Sequence, residues 1–150
     1  MRKTLHFAFA TLMLASLLHP VQAQEKAAEA AGTIKVKVNY TGSGTVDAQH
    51  KIMVFLFDSP AFAQGTAMPF ASQGASSKKE TVTFTDVAKT PAYVAIVYDP
   101  TGKYDGQSPP PSGSSLGMYA TTPGTPAPVK IKPGKTVQVD VTFDDTQKMP

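Results

Sequence analysis

Cysteine and tryptophan are absent from the 150 residues, and arginine occurs once, as Arg2. Without cysteine there is no disulfide, no thiolate nucleophile and no thiolate metal ligand. An exported domain of this size stays stable without disulfides if its core is adequate, so the absence does not choose a compartment. A lone arginine removes the planar forks that dominate recognition of phosphates and base edges. The lysines are scattered along the chain rather than clustered. These two features exclude a nucleic-acid partner. Histidine is also scarce, with His50 alone beyond residue 19. No serine sits in a G-x-S-x-G context. Long apolar runs are missing after residue 18, so no transmembrane segment is expected.

The start of the chain has the order of a secretory leader. Arg2 and Lys3 form a short positive region, and residues 7–18 are almost wholly apolar. His19 and Pro20 break that run. Val21-Gln22-Ala23 then offers small residues where a leader is cut. The run is shorter than the roughly 20 residues a membrane span needs. A signal peptide over 1–23 is therefore expected, with a periplasmic or secreted product. Removing Arg2 and Lys3 reduces 14 basic residues to 12, against 11 acidic ones. The basic character of the whole chain is thus largely a property of its leader.

Residues 24–32 are rich in Ala and Glu and have no apolar face, which predicts a flexible segment. Residues 33–40 alternate: Ile34, Val36, Val38 and Tyr40 on one side, Lys35, Lys37 and Asn39 on the other. That period predicts a strand with one face in a core. Residues 51–58 and 92–99 carry continuous apolar runs, the pattern of strands covered on both faces. Residues 80–87 alternate again through Val82 and Phe84. Residues 116–120 read as a short strand. Residues 129–132 and 136–143, joined by Pro133-Gly134, read as a terminal hairpin. Residues 61–79 predict a long loop with a short helical or irregular piece. Pro and Gly crowd residues 99–115 and exclude regular structure there. The expectation is one all-β domain over 33–144, a sandwich of about seven antiparallel strands, followed by a polar tail over 145–150. A closed barrel is the alternative.

The order of these segments resembles the DUF2141 family, small exported bacterial proteins with a transthyretin-like (prealbumin-like) sandwich. The likeness runs through residues 33–40, then Val54-Phe55-Leu56-Phe57-Asp58-Ser59-Pro60-Ala61-Phe62. It continues through Val82-Thr83-Phe84-Thr85-Asp86-Val87, residues 92–99, Tyr104-Asp105-Gly106 and Gly117-Met118-Tyr119. The family pattern departs at Tyr98, where members carry His, and in the 99–106 loop. The resemblance implies the sandwich and export, and implies no activity. Transthyretin-like folds include a purine-pathway hydrolase built on His and Arg, residues this chain lacks beyond its leader except for His50.

Several residues are candidates for chemistry. Asp99, Thr101 and Asp105 offer oxygens to Ca²⁺, but Lys103 lies among them and hard cations need six to eight ligands. An Asx-type turn is the competing explanation. Tyr104 and Tyr119, with Phe62 and Phe70, are the rings available to stack on a sugar or small molecule, and covering the ends of the sandwich is the competing role. His50 is the one base for a hydrolase. His50 with Met68, Met118 or Met149 is the thioether set for Cu(I), but the four are dispersed. Asn39-Tyr40-Thr41 matches a glycosylation sequon by its letters. The poverty of catalytic residue types predicts a non-catalytic module without a cofactor. It would contact a protein or envelope partner through loops or an edge strand. A carbohydrate or small-molecule module is the second reading, and a hydrolase near His50 the third.

Overall fold

The computed structural model describes residues 31–150. The expected leader, and residues 24–30 of the expected flexible segment, lie outside them. The last two residues of that segment are built into the domain. Ala31 is buried, and its carbonyl accepts a hydrogen bond from Gly134 N (2.8 Å).

Seven strands follow in order: β1 (Gly32–Tyr40), β2 (Ile52–Phe57), β3 (Ala71–Ala75), β4 (Lys79–Val87), β5 (Tyr93–Tyr98), β6 (Ser115–Met118) and β7 (Thr136–Phe143). A single 3-10 turn, Pro60–Gln64, lies between β2 and β3. The fold is all-β, with one sheet in the order β4-β1-β7 and the other in the order β3-β2-β5-β6. Among the described residues no helix is long and apolar enough to cross a membrane.

The alternation of β1 sets the packing. Ile34, Val36 and Val38 are fully buried, and Lys35 and Lys37 are exposed. Each buried Ile or Val stabilises the fold by about 1.5–3 kcal/mol relative to an exposed one. A slip of one residue would drive both lysines inward, so the register of β1 is strongly specified. The opposing sheet supplies Ile52, Val54, Leu56, Val94, Ile96 and Tyr98 to the same core. The continuous apolar runs of β2 and β5 are explained by a second cluster on the outer face of that sheet. Phe55, Phe57 and Val97 are buried there, under Phe62, Ala67 and Tyr104. Phe62 stacks on Phe57 at 4.7 Å between ring centres.

Two expectations need correction. Residues 129–132 and β7 do not form a hairpin. Pro133-Gly134 does turn the chain, with Lys135 N donating to Lys132 O (3.0 Å) and Gly134 at φ 64°. The segment before the turn instead makes an isolated bridge from Val129 to Ala92, the residue before β5 of the other sheet. β7 runs parallel to β1 over the whole register from Thr33–Thr136 to Tyr40–Phe143, so the sandwich is mixed rather than wholly antiparallel as expected. A local turn signal reports a change of direction, and pairing is decided by the apolar face that each strand must bury. The second correction concerns residues 61–79. The 3-10 turn is there, capped by Ser59 Oγ on Ala61 N and ended by Gly65 at φ 72°. After it comes β3, which pairs antiparallel with β2. Ala71-Ser72-Gln73-Gly74-Ala75 lacks an apolar alternation because only Ala75 is fully buried.

The segment 145–150 is tied down rather than free. Leu116 N donates to Gln147 O (2.9 Å), Met149 N to Ser114 O (2.9 Å) and Gly113 N to Met149 O (2.9 Å). It covers the outer edge of β6. The short strand expected at 116–120 is β6, one residue earlier at its start. No closed barrel forms, since the two sheets remain separate.

Candidate functional site

Asp99 follows β5 directly and is only 4% exposed. Its Oδ1 accepts from Thr101 N (2.8 Å). Its Oδ2 accepts from Thr101 Oγ1 (2.7 Å), Lys103 N (3.0 Å) and Tyr104 N (3.0 Å). Burial works to raise the carboxyl pKa, but these four donors outweigh it and hold the group below the usual carboxylate range. The loop is therefore wound around its own acid, the arrangement of an Asx turn. Asp105 Oδ1 is likewise engaged, by Gln107 N (2.9 Å). Donors occupy the oxygens of Asp99 that a cation would need. Among the described residues no group of three or more His, Cys, Asp or Glu side chains is arranged to hold a metal.

His50 closes the turn before β2. Its Nδ1 lies 3.0 Å from Asp47 Oδ1. The same oxygen accepts from His50 N (2.7 Å) and Gln49 N (2.8 Å), and these bonds hold the Asp47 carboxyl below its ordinary pKa. The far side of the ring faces Gly102, where a Cβ would come within 2.9 Å of His50 Cδ2. An open recess beside it is lined by Ala48, Gln49, Lys51, Met53, Asp99, Gly102 and Tyr104, with no serine in its wall. An aspartate and a histidine are paired, and the nucleophile of a Ser/His/Asp set is missing from the recess.

The four candidate rings divide into two pairs. Phe62 and Tyr104 cover the outer cluster, with Tyr104 at 6.1 Å from Phe55. Phe70 and Tyr119 pack against the core between the sheets. Met68, Met118 and Met149 lie respectively before β3, in β6 and in the terminal segment. Asn39 of the sequon sits within β1, where its Nδ2 donates to Thr142 Oγ1 (3.3 Å).

A second polar centre, equally rich in hydrogen bonds, has no counterpart among the sequence expectations. Asp145 Oδ1 accepts from Tyr40 Oη (2.5 Å) and Ser115 Oγ (2.7 Å). Its Oδ2 accepts from Ser43 N (2.9 Å) and Ser43 Oγ (3.0 Å). The bond from Tyr40, followed by those from Ser43 and Ser115, holds its carboxyl far below the usual range. Burial and the bond to Asp145 push Tyr40 up to about 12. Tyr40 in turn contacts Tyr98 (4.8 Å) and Phe143 (4.9 Å), and Tyr98 Oη donates to Thr45 O (2.7 Å). This centre joins both sheets, the 41–45 turn and the terminal segment. Both oxygens of Asp145 are engaged within the chain, so the centre fastens these elements to one another. The one available signal was the Tyr40–Ser43 spacing beside a β1 end, which does not point to an acid more than a hundred residues away.

The sheet edges differ in how they are closed. β6 is covered by residues 147–149. β7 is approached by β6, since a Cβ on Gly117 would lie 2.8 Å from Phe143 Cβ. β4 carries Lys79, Glu80 and Asp86 and ends at an irregularity opposite Gly32 and Ile34, with Asp86 at φ 56°. β3 pairs only with β2, and its Ser72, Gln73 and Gly74 are exposed and uncharged. Beside it runs an open groove floored by Phe70, Phe84 and Val87, with Lys89 on the rim. Lys89 is held to Asp58 (2.8 Å). Comparison of the chain with protein families, with curated proteins and with solved structures gives no match.

Proposed function

We propose that this chain is a non-catalytic, exported β-sandwich module that contacts a protein or envelope partner by offering the β3 edge to an extended segment. The observation that carries the reading is the contrast at the edges. Among the described residues β3 has no hydrogen-bonded covering segment, no charge and no bulge, the usual means of blocking strand addition. Its remaining guards are its five-residue length and Pro69 just before it. Strand addition gives affinity through main-chain hydrogen bonds, and the groove beside β3 would select the side chains that face it. The engaged state of Asp99, Asp145 and the His50–Asp47 pair supports the non-catalytic part, because no acid of these centres is left for a substrate.

The finer assignments belong to the same proposal. Seven strands in sheets of three and four support a transthyretin-like arrangement of the DUF2141 kind. The order of charge, apolar run, breaker and small residues in 1–23 supports export to the periplasm or beyond. N-terminal sequencing of protein recovered from producing cells is expected to begin at Gln24, and recovery with Met1 intact contradicts export.

The binding test is a photo-crosslinking residue placed in producing cells at Gln73, and separately at Thr81, Gln138, Tyr104 and Tyr119. Adduct formation confined to Gln73 is expected. Adducts confined to Tyr104 and Tyr119 would contradict the edge reading and favour a site at the loops.

A further inference from the structure

We infer that the segment β3 accepts is β3 of a second copy of this chain, giving a two-fold dimer with a continuous eight-stranded sheet. The inference rests on the edge reading above and names its partner. The strand is self-complementary when inverted. An antiparallel pair centred on Gln73 sets Ala71 opposite Ala75 and Ser72 opposite Gly74, with Gln73 opposite its own copy. An interface across a two-fold axis requires this, because each residue must suit its counterpart on the same patch. No charge occurs in the strand, so no like charges meet across the axis. A stretch of Ala, Ser, Gln and Gly takes an identical strand without a clash.

A separate observation falls on the same line of chain. Met68 is 78% exposed, the one large apolar side chain so exposed among the described residues. It lies three residues before β3. The chain leaves the sheet after Ala75, where Ser76 N and Ser77 N donate to Glu80 Oε2 and Lys78 O accepts from Tyr40 N (2.8 Å) of β1, so the pairing spans 71–75 and Met68 stands just outside it.

The absence of cysteine makes the register directly readable. Residues directly opposite across an antiparallel pair have Cβ atoms about 4.5–5.5 Å apart, near disulfide range. Single substitutions Ala71→Cys, Ser72→Cys, Gln73→Cys and Gly74→Cys are oxidised separately, and dimer is measured on non-reducing gels. Gln73→Cys is expected to cross-link fastest, with a fall on either side. In sedimentation velocity the unmodified protein is expected to show a concentration-dependent dimer. Gln73→Lys, which brings two like charges together on the axis, weakens that dimer by roughly tenfold or more. Gln73→Ser leaves it in place. Circular dichroism of both variants reports that the exposed substitution has not disturbed the fold. A monomer at every concentration, with no cross-linking maximum at position 73, overturns self-pairing. If the in-cell crosslinker at Gln73 then still yields an adduct with another protein, the open-edge reading stands without self-pairing. If position 73 yields neither, both fall.

Discussion

Asp145 shows how much one side chain at the end of a chain can organise. It gathers hydrogen bonds from Tyr40, Ser43 and Ser115, which sit on β1, the following turn and β6. Replacing it by Asn keeps the shape but removes the charge that strengthens those bonds, and leaves the buried Tyr40 hydroxyl with a weaker acceptor. Asp145→Asn is expected to lower stability by about 1–3 kcal/mol, measured by urea unfolding at pH 7. The pH dependence follows from the direction of the shift. The folded carboxyl has a lower pKa than the unfolded one. Its contribution is complete above the unfolded value of about 4 and is lost as pH falls toward the folded value. The variant should therefore show a shallower loss of thermal stability below pH 4 than the parent. Tyr40 has the opposite sign. Its pKa is raised to about 12 from 10.0, so its contribution is complete below pH 10 and is lost as pH rises toward 12. Tyr40→Phe should flatten that alkaline decline in the same melting series.

The element scale is where the terminal segment and the close approach of β6 to β7 matter. Residues 147–149 satisfy the backbone of Ser114 and Leu116 at an edge that would otherwise be open. Ending the chain after Thr146 keeps Asp145 but uncovers β6. The expected result is faster amide exchange at Leu116 with little change at Val36 in the centre of the other sheet. Equal exchange rates at Leu116 in the two proteins would show that the segment does not protect the edge. Gly117 is small because of Phe143: an added Cβ would lie 2.8 Å from Phe143 Cβ and 2.9 Å from Cγ. Gly117→Ala is expected to cost about 1–3 kcal/mol through this overlap, read as a lowered melting temperature.

Elements were legible in proportion to how locally their burial is written. β1 and β4 declare themselves by alternation, and β2 and β5 by apolar runs that the outer cluster under Phe62 and Tyr104 explains. β3 has no such signature, because an edge strand of small residues buries little. The pairing of β7 was illegible for a different reason. Its partner β1 stands about a hundred residues earlier, and the Pro133-Gly134 turn beside it suggests a nearer one. The Asx turn at Asp99 was legible as an alternative to a cation loop, since both draw on the same residue types. The Asp145 centre was not legible, since its members are ordinary polar residues joined only by the fold.

For the molecule as a whole, the acids at the sheet ends are engaged within the chain, and the proposed binding surface is one edge. Two sheets enclose the main core, Asp99 holds its own loop, and Asp145 ties β1, the 41–45 turn and β6 together. Among the described residues the β6 edge is covered by a hydrogen-bonded segment and the β4 edge carries charge and an irregularity, whereas β3 has neither. Residue-resolved hydrogen exchange on dilute, monomeric protein compares these edges in one experiment. The outward amides of β3 are expected to exchange at rates near those of an exposed loop, while Leu116 and Met149 exchange slowly. Protection of β3 equal to that of β6 in the monomer would mean that the edge is already closed, and would contradict the account.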